Sequence, residues 1–359
     1  MGAIVAGHIC LDIIPDLSAQ EPGQFETAFQ PGRLVAVGPA TLSTGGAVSN
    51  TGLALHKLGI DTRLIARVGA DQFGKTIQQL VADFAPGLDS GITADTRAGT
   101  SYSIVISPPI ADRCFIHYPG VNDLFCAADV KTRDIKDARL FHFGYPPVMA
   151  GMYADDGVQL EGLFRQVKVL GLTTSLDMAY PDPASPAGRA NWRAILQKTL
   201  PFVDIFTPSL DEILFMLGYK TYTPLSEALL AQVSDELLKM GAKIVVLKLG
   251  ECGLYLQTAP TQVLKKLGRA CPSDLSAWGD YKSWSPCFQV NVVGTTGAGD
   301  VTTAGFLAAL LRGLPPTKAV DFALAAGACC VEAADAFSGL RTWYETWERI
   351  KAGWERKKS

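Results

Sequence analysis

Gly294-Thr295-Thr296-Gly297-Ala298-Gly299-Asp300 runs directly into a small-residue helical pattern over residues 301–312. Glycine and alanine in succession ahead of a helix let the backbone come close to an anion, and the unpaired N–H groups of the helix's first turn point at it. The stretch therefore reads as a phosphate cradle. Asp300 closes it, at a place where a carboxylate accepts the proton of a hydroxyl about to attack phosphorus. The competing use of the same aspartate is as a simple N-terminal cap.

Outward from the cradle, short apolar runs alternate with longer helical patterns. Residues 2–7, 62–68, 140–143, 173–176, 205–207 and 244–249 read as buried strands; 47–58, 74–84, 157–170, 192–200, 211–217 and 226–240 have helical periodicity. That alternation predicts an α/β fold with a mostly parallel central sheet and helices on both faces. Residues 13–44 and 98–118 break it. They are rich in turn residues and β-formers, including Phe25, Phe29, Leu34, Tyr102 and Cys114, and predict a small β lid inserted at the sheet edge. With no Pro-, Ser- or Gly-rich linker and no internal repeat, residues 1–359 read as one domain. Residues 257–289 form a long polar segment with Trp278, Tyr281 and Trp284, either a surface excursion packing its own aromatics or a cover for a ligand. Trp343, Trp347, Ile350 and Trp354 follow helical spacing and predict a docking helix.

Composition narrows the function classes. The 359 residues are 48% hydrophobic and 19% charged, enough for a large core and too apolar for disorder. A net charge of −3 leaves no basic excess for a phosphate backbone, which argues against nucleic acid. No run of about 18 apolar residues occurs, so no membrane span is expected. Eight scattered cysteines without Cys-x-x-Cys spacing read as reduced core thiols, and the apolar residues 1–15, interrupted by His8 and Asp12, lack the pattern of a secretory signal. These features point to a cytoplasmic protein. His8, His56 and His142 show no metal-ligand spacing, and no Gly-x-Ser-x-Gly elbow occurs.

One motif competes with the cradle. Gly69-Ala70-Asp71-Gln72-Phe73-Gly74-Lys75-Thr76 matches the G-x-x-x-x-G-K-[ST] phosphate loop literally, after a strand and before a helix. Against that reading, Asp71 sets a carboxylate where phosphates would lie, and Phe73 crowds a turn that needs an open backbone.

The chain resembles the ribokinase or PfkB family of carbohydrate kinases along nearly its whole length. The resemblance rests on Gly45, Gly46 and Asn50, then Gly69, Asp71 and Gly74, on the segment from Lys248 to Gly253, on residues 117–122, and on Thr295 to Asp300. It implies a ribokinase-like three-layer fold and transfer of the γ-phosphate of ATP, with Mg²⁺, to a hydroxymethyl group of a sugar or sugar-like molecule. Asp300 would be the general base, with the N–H groups of Gly297, Ala298 and Gly299 forming the anion hole. Asp12, Gly45, Gly46, Asn50, His117 and Tyr145 would bind the acceptor. Ser209, Lys248, Gly250, Gly253, Thr296, Ala326 and Gly327 would line the nucleotide, and Glu212 would meet magnesium through water. The resemblance also implies a homodimer formed through the lid.

Several positions depart from the family pattern. Gly294 stands where potassium-activated members carry aspartate, which predicts weak or absent K⁺ activation. Ser209 replaces the amide of Asn-x-x-Glu in Ser209-Leu210-Asp211-Glu212, and Ala179 replaces the amide of Asp-x-Asn after Asp177. Tyr145 stands near a glutamate of close ribokinases, where an aromatic can stack on a sugar ring or a base. These departures motivate an alternative, a catalytically impaired PfkB-like protein that binds a sugar or nucleoside and serves regulation. Ribose, fructose, 2-keto-3-deoxygluconate, a nucleoside and inositol remain open as acceptors.

Overall fold

The computed structural model describes residues 1–18, 31–32, 34–107, 114–220, 224–333 and 335–357. In chain order the first seven strands are β1 Ala3–Gly7, β2 Cys10–Pro15, β3 Ala40–Gly45, β4 Thr62–Gly69, β5 Ile92–Asp95, β6 Tyr102–Ile106 and β7 Cys114–Tyr118. The others are β8 Leu140–Gly144, β9 Thr173–Asp177, β10 Ile205–Phe206, β11 Ile244–Lys248, β12 Leu254–Thr258 and β13 Lys282–Ser285. The principal helices are α1 Ala47–Lys57, α2 Gln72–Phe84, α3 Ala150–Val169, α4 Trp192–Thr199, α5 Leu210–Met216, α6 Glu227–Met240, α7 Ala298–Leu311, α8 Pro316–Cys330 and α9 Trp343–Lys351.

Among the described residues the strands make two sheets. The large one has the order β13-β12-β11-β10-β9-β8-β1-β4-β5, parallel from β11 to β5 and antiparallel at β12 and β13. All six strands read from the sequence lie in its parallel part. Their unbroken apolar runs have a direct cause: β1, β8 and β9 are buried at every position, because helices cover both faces. Alternate side chains of one strand feed two separate cores. Ala3 and Val5 join the core beneath α1, α7 and α8, whereas Ile4 and Ala6 join the one beneath α3 to α6.

The small sheet has the order β3-β2-β6-β7 and occupies the two stretches that break the alternation. It begins earlier than the sequence suggests, at Cys10, because β2 continues almost directly from β1. Phe25 and Phe29 lie outside the described residues. No helix among the described residues is long and apolar enough to cross a membrane.

Two expectations need correction. The segment 257–289 is not a plain loop: two one-turn helices, Thr261–Leu264 and Leu275–Trp278, lead into β13. Trp278 is buried and meets Phe306 edge-on at 6.1 Å. Its polar composition concealed an edge strand, which has one bonded neighbour and little apolar burial to advertise it. The cysteines are not all core thiols, since Cys114 and Cys252 are exposed. Helix α3 is broken by non-helical backbone at Ala154 to Gly157, so its continuous part starts where the periodicity starts. At the other end of the chain α9 docks as expected, with Trp343 4.1 Å from Phe322.

Candidate active site

Helix α7 starts at the cradle. Its N-cap is Gly297, at φ 71° and with no side-chain cap, so Asp300 is not the cap but the third residue of the first turn. A Cβ at Gly297 would fall 2.5 Å from that of Ala336 and would also need a left-handed backbone, which accounts for glycine there. Ala298 N donates to Thr295 O at 3.3 Å, while the first-turn N–H groups of Gly299 and Asp300 have no carbonyl partner four residues earlier, and the helix dipole adds positive potential. Small residues continue through α7 because it is buried on nearly all sides against α1 and α8.

Asp300 is buried and held by three donors. Asn50 Nδ2 donates to Oδ2 at 2.9 Å, the Tyr145 hydroxyl to Oδ2 at 2.7 Å and Thr51 Oγ1 to Oδ1 at 3.4 Å. Burial pushes the carboxyl above its ordinary value, against the pull of Lys248 and these three donors. Tyr145 is itself pushed well up by burial and by the charges of Asp300 and Asp177, so it stays a donor. Its backbone sits at φ 69° directly after β8, a conformation costly for a non-glycine residue and one that aims the ring at Asp300. The family resemblance suggested a stacking role for Tyr145; the hydroxyl's bond to Asp300 carried no sequence signal.

On one side of Asp300 the acceptor candidates form a chain of contacts. Asp12 lies on β2 against Gly45, where a Cβ would fall 2.2 Å from Oδ2. Gly46, at φ 86°, abuts His8, starts α1 and thereby places Asn50. His117 on β7 bonds Ser103 at 3.0 Å and lies 5.2 Å from the His8 ring, which is 6.2 Å from Tyr145. Burial raises Asp12 to about 6, opposed by hydrogen bonds from Cys10 and Ser103. Ser103 was not singled out from the sequence and His8 was weighed only as a metal ligand; Ser103 faces Asp12 because β6 pairs with β2, and His8 sits in the short link between β1 and β2.

On the other side lies a cavity of about 360 Å³. Ser209, Glu212, Lys248, Gly250, Gly253, Ala298, Gly299 and Gly327 line it, together with Tyr145. Two expected contacts shift by a residue or two: Thr295 rather than Thr296 reaches the cavity, and Leu324 and Ala328 rather than Ala326 form its apolar wall. Ala326 faces the opposite way, toward Gly305 of α7, because one residue along a helix turns the side chain by about 100°. Glycine is required at Gly253, where a Cβ would meet Ser285 O at 2.0 Å and φ is 98°.

The charges at the cavity floor are paired. Lys248 Nζ bonds both oxygens of Asp177, at 2.7 and 2.6 Å, and Thr303 Oγ1 and Met178 N add two more donors at 3.2 and 2.8 Å. Burial works against the lysine's charge, but Asp177, Glu212 and Asp300 outweigh it and hold the ammonium above its ordinary value. Ser209 and Glu212 form a reciprocal capping box on α5: Ser209 N donates to Oε2 at 2.7 Å and Glu212 N to the serine hydroxyl at 3.3 Å. Among the described residues no group of three His, Cys, Asp or Glu side chains converges on a metal. A divalent cation here would rest on phosphate oxygens and water, with Glu212 as its protein contact.

The competing phosphate loop is filled by its own carboxylate. Asp71 accepts from Gly74 N at 2.9 Å, Thr100 N at 2.8 Å and Thr100 Oγ1 at 2.6 Å. Gly74 packs so tightly that a Cβ would fall 2.1 Å from Gly69 O, and Lys75 points outward, exposed. The glycines serve a turn that ties α2 to the start of β6.

An anion cradle beside a buried carboxylate, at the carboxyl end of a parallel sheet, defines a phosphotransferase acting on an alcohol group. The model of the pfkB family carbohydrate kinases matches residues 8–343. The chain belongs to that family. It is 27% identical over 293 residues to a protein named as an uncharacterized sugar kinase of Archaeoglobus fulgidus, covering 80% of this chain and 98% of that one. It is 25% identical over 346 residues to a probable fructokinase-5 of Arabidopsis thaliana, covering 94% and 93%. The fold is ribokinase-like: the structure of Arabidopsis thaliana ribokinase with ribose and ATP superposes with a TM-score of 0.72 at 20% identity over 98% of each chain.

Proposed function

We propose that this chain transfers the γ-phosphoryl group of ATP to a hydroxymethyl group of a sugar or sugar-like alcohol, with Asp300 as the general base. The observation that carries the reading is the position of Asp300. It lies in the first turn of α7, bonded to the acceptor-side residues Asn50 and Tyr145, while its neighbour Gly299 lines the cavity.

The cavity fits a nucleoside triphosphate chemically. Its phosphate end offers the α7 amides and Lys248, and its far end offers the apolar Phe288, Leu324 and Val331. The named partners of related proteins, ribose with ATP in one and fructose by name in another, support the same pairing. Magnesium, when bound, neutralises phosphate charge. Asp12 and Asn50 orient the acceptor hydroxyls, Asp300 takes the proton, and the amides of Ala298 and Gly299 stabilise charge developing on the transferred group.

Three further features belong to this reading. The exposed Phe115, Ile116 and Tyr118 of β7, with Leu42 of β3, support pairing of two copies through the small sheet. Gly294 provides no carboxylate, and its N–H bonds Val331 O at 3.2 Å, so activation by K⁺ is expected to be weak or absent. The chain is assigned to the cytoplasm on its composition.

Asp300→Asn tests the reading, assayed as acceptor-dependent ADP release over a panel of sugars, polyols and nucleosides. The expected loss is about a thousandfold or more in kcat with nucleotide binding retained. Substantial acceptor-dependent turnover in Asp300→Asn would refute Asp300 as base. No turnover by the natural chain with any acceptor, beside tight acceptor binding, would favour the impaired binding protein.

A further inference from the structure

We propose that the segment following α9, Trp354 to Lys357, is part of the nucleotide site and positions its outer wall. The inference rests on the cavity beside Lys248 being that site. Nothing in residues 354–357 announces such a role, since the spacing of their aromatics and charges reads only as the end of a docking helix.

Four independent contacts place the segment. First, its backbone pairs with the strip that forms the cavity wall: Phe288 and Arg356 make an antiparallel bridge, Gln289 N donates to Glu355 O at 2.8 Å and Lys357 N to Cys287 O at 2.8 Å. Second, the wall residue Phe288 is held between two side chains of the segment. The Trp354 ring stacks on it at 4.6 Å and the Arg356 guanidinium lies over it at 4.3 Å. Third, Arg356 is fixed by Asp321 of α8 and by Pro286 O at 2.6 Å, so the guanidinium is a rigid plate rather than a mobile cation. Fourth, Lys357 itself lines the cavity and its Nζ lies 3.2 Å from Glu251 Oε2, across the rim formed by the Gly250–Cys252 turn.

These contacts assign different work to different residues. Trp354 and Arg356 are positioning residues, acting on nucleotide only through Phe288. With Trp354 and Arg356 covering its two faces, Phe288 meets the cavity by its ring edge, and the two-sided clamp fixes the rotamer that sets where that edge lies. Lys357 is a contact residue at the open rim. Its pair with Glu251 is exposed on both sides, 37% and 83%, and contributes little to folding. Its ammonium is therefore available to an anionic or hydroxyl-bearing part of the nucleotide at little structural cost. The acceptor side of Asp300 shares none of these residues.

The test uses the full chain with Arg356→Ala, Lys357→Ala and, as a control on the exposed face of α9, Lys351→Ala. Equilibrium binding of ATP and ADP is titrated by intrinsic tryptophan fluorescence, and KM for each substrate and kcat are measured. Arg356→Ala is expected to weaken nucleotide binding about fivefold to tenfold and Lys357→Ala about threefold, with acceptor KM and saturated kcat unchanged; the control stays at the natural value. Should Arg356→Ala fail to fold, Lys357→Ala decides, because it touches only an exposed ion pair. Wild-type nucleotide affinity in both folded variants would overturn the proposal, as would an equal loss in acceptor KM. Failure of the unaltered chain to bind any nucleotide is a different result, one that removes the kinase reading itself.

Discussion

The Tyr145 hydroxyl donates to Oδ2 of Asp300 across 2.7 Å, on the same oxygen that accepts the Asn50 amide at 2.9 Å. A general base works only when ionised, and donors to a carboxylate favour that form. Here they oppose burial, which pushes the group the other way. If Asp300 is the base proposed above, the pair links the candidate acceptor side to its protonation state.

Tyr145→Phe removes one donor and leaves Asn50, Thr51 and Lys248 facing Asp300. The Asp300 pKa is expected to rise, moving the acid limb of the kcat/KM profile up by about one pH unit, with activity recovering at higher pH. An acid limb in the same place would show that the hydroxyl does not tune the base.

Asp12 is pushed to about 6 by burial, from an ordinary 3.8. In the proposed role the ionised carboxylate accepts hydrogen bonds from acceptor hydroxyls and protonation leaves it one weaker, neutral acceptor oxygen, so acceptor KM should rise as pH falls below about 6. Asp12→Asn should raise KM about tenfold at neutral pH and flatten its pH dependence. The stability consequence has the opposite sense. A carboxyl with a raised folded pKa stabilises the fold below its unfolded value and loses that contribution as pH rises through about 6. Denaturant unfolding should therefore show Asp12→Asn gaining on the natural chain between pH 4 and 7.

Lys248 and Asp177 are almost fully buried, 12% and 0% exposed. Removing one partner strands the other's charge, so Lys248→Met should cost about 3 kcal/mol in denaturant unfolding. Adding Asp177→Asn should recover much of that stability without recovering nucleotide affinity, since Lys248 also lines the cavity proposed to hold the nucleotide. A double variant that binds ATP as the natural chain does would show that the pair is structural only.

The turn that imitates a phosphate loop gives a contrast. Lys75→Ala should leave turnover within about twofold, because the side chain points to solvent. Asp71→Ala should cost about 1–2 kcal/mol of stability through loss of the cap on α2 and of the Thr100 bonds. A collapse of turnover in Lys75→Ala at unchanged stability would restore the loop as a phosphate site.

Part of the candidate site was legible residue by residue: Gly297, Ala298, Gly299 and Asp300 stood out as a helix start built of small residues, the composition of an anion cradle, whereas Gly250 and Gly253 entered through the family resemblance. Less was legible where a polar surface or a helical rotation decided the outcome. Lys282 to Ser285 hid an edge strand behind polar residues. Ala326 and Ala328 are interchangeable in composition, yet two positions of helical rotation send one to the helix interface and the other to the cavity.

Alternation of strand and helix, turn chemistry and the anion cradle are properties of short stretches of chain, and they were enough to give the parallel sheet and a candidate place for phosphate. The partners of each polar group were decided only by tertiary structure. Asn50 reaches Asp300 across 250 residues, and Tyr145 reaches it across 155. Both depend on the order β9-β8-β1-β4, which sets the ends of strands distant in sequence side by side. The same holds for Arg356 against Phe288. Spacing along the chain fixes what can form within a helix or turn, but the register between non-consecutive elements is set by the packing of the two cores, to which all of the strands contribute together.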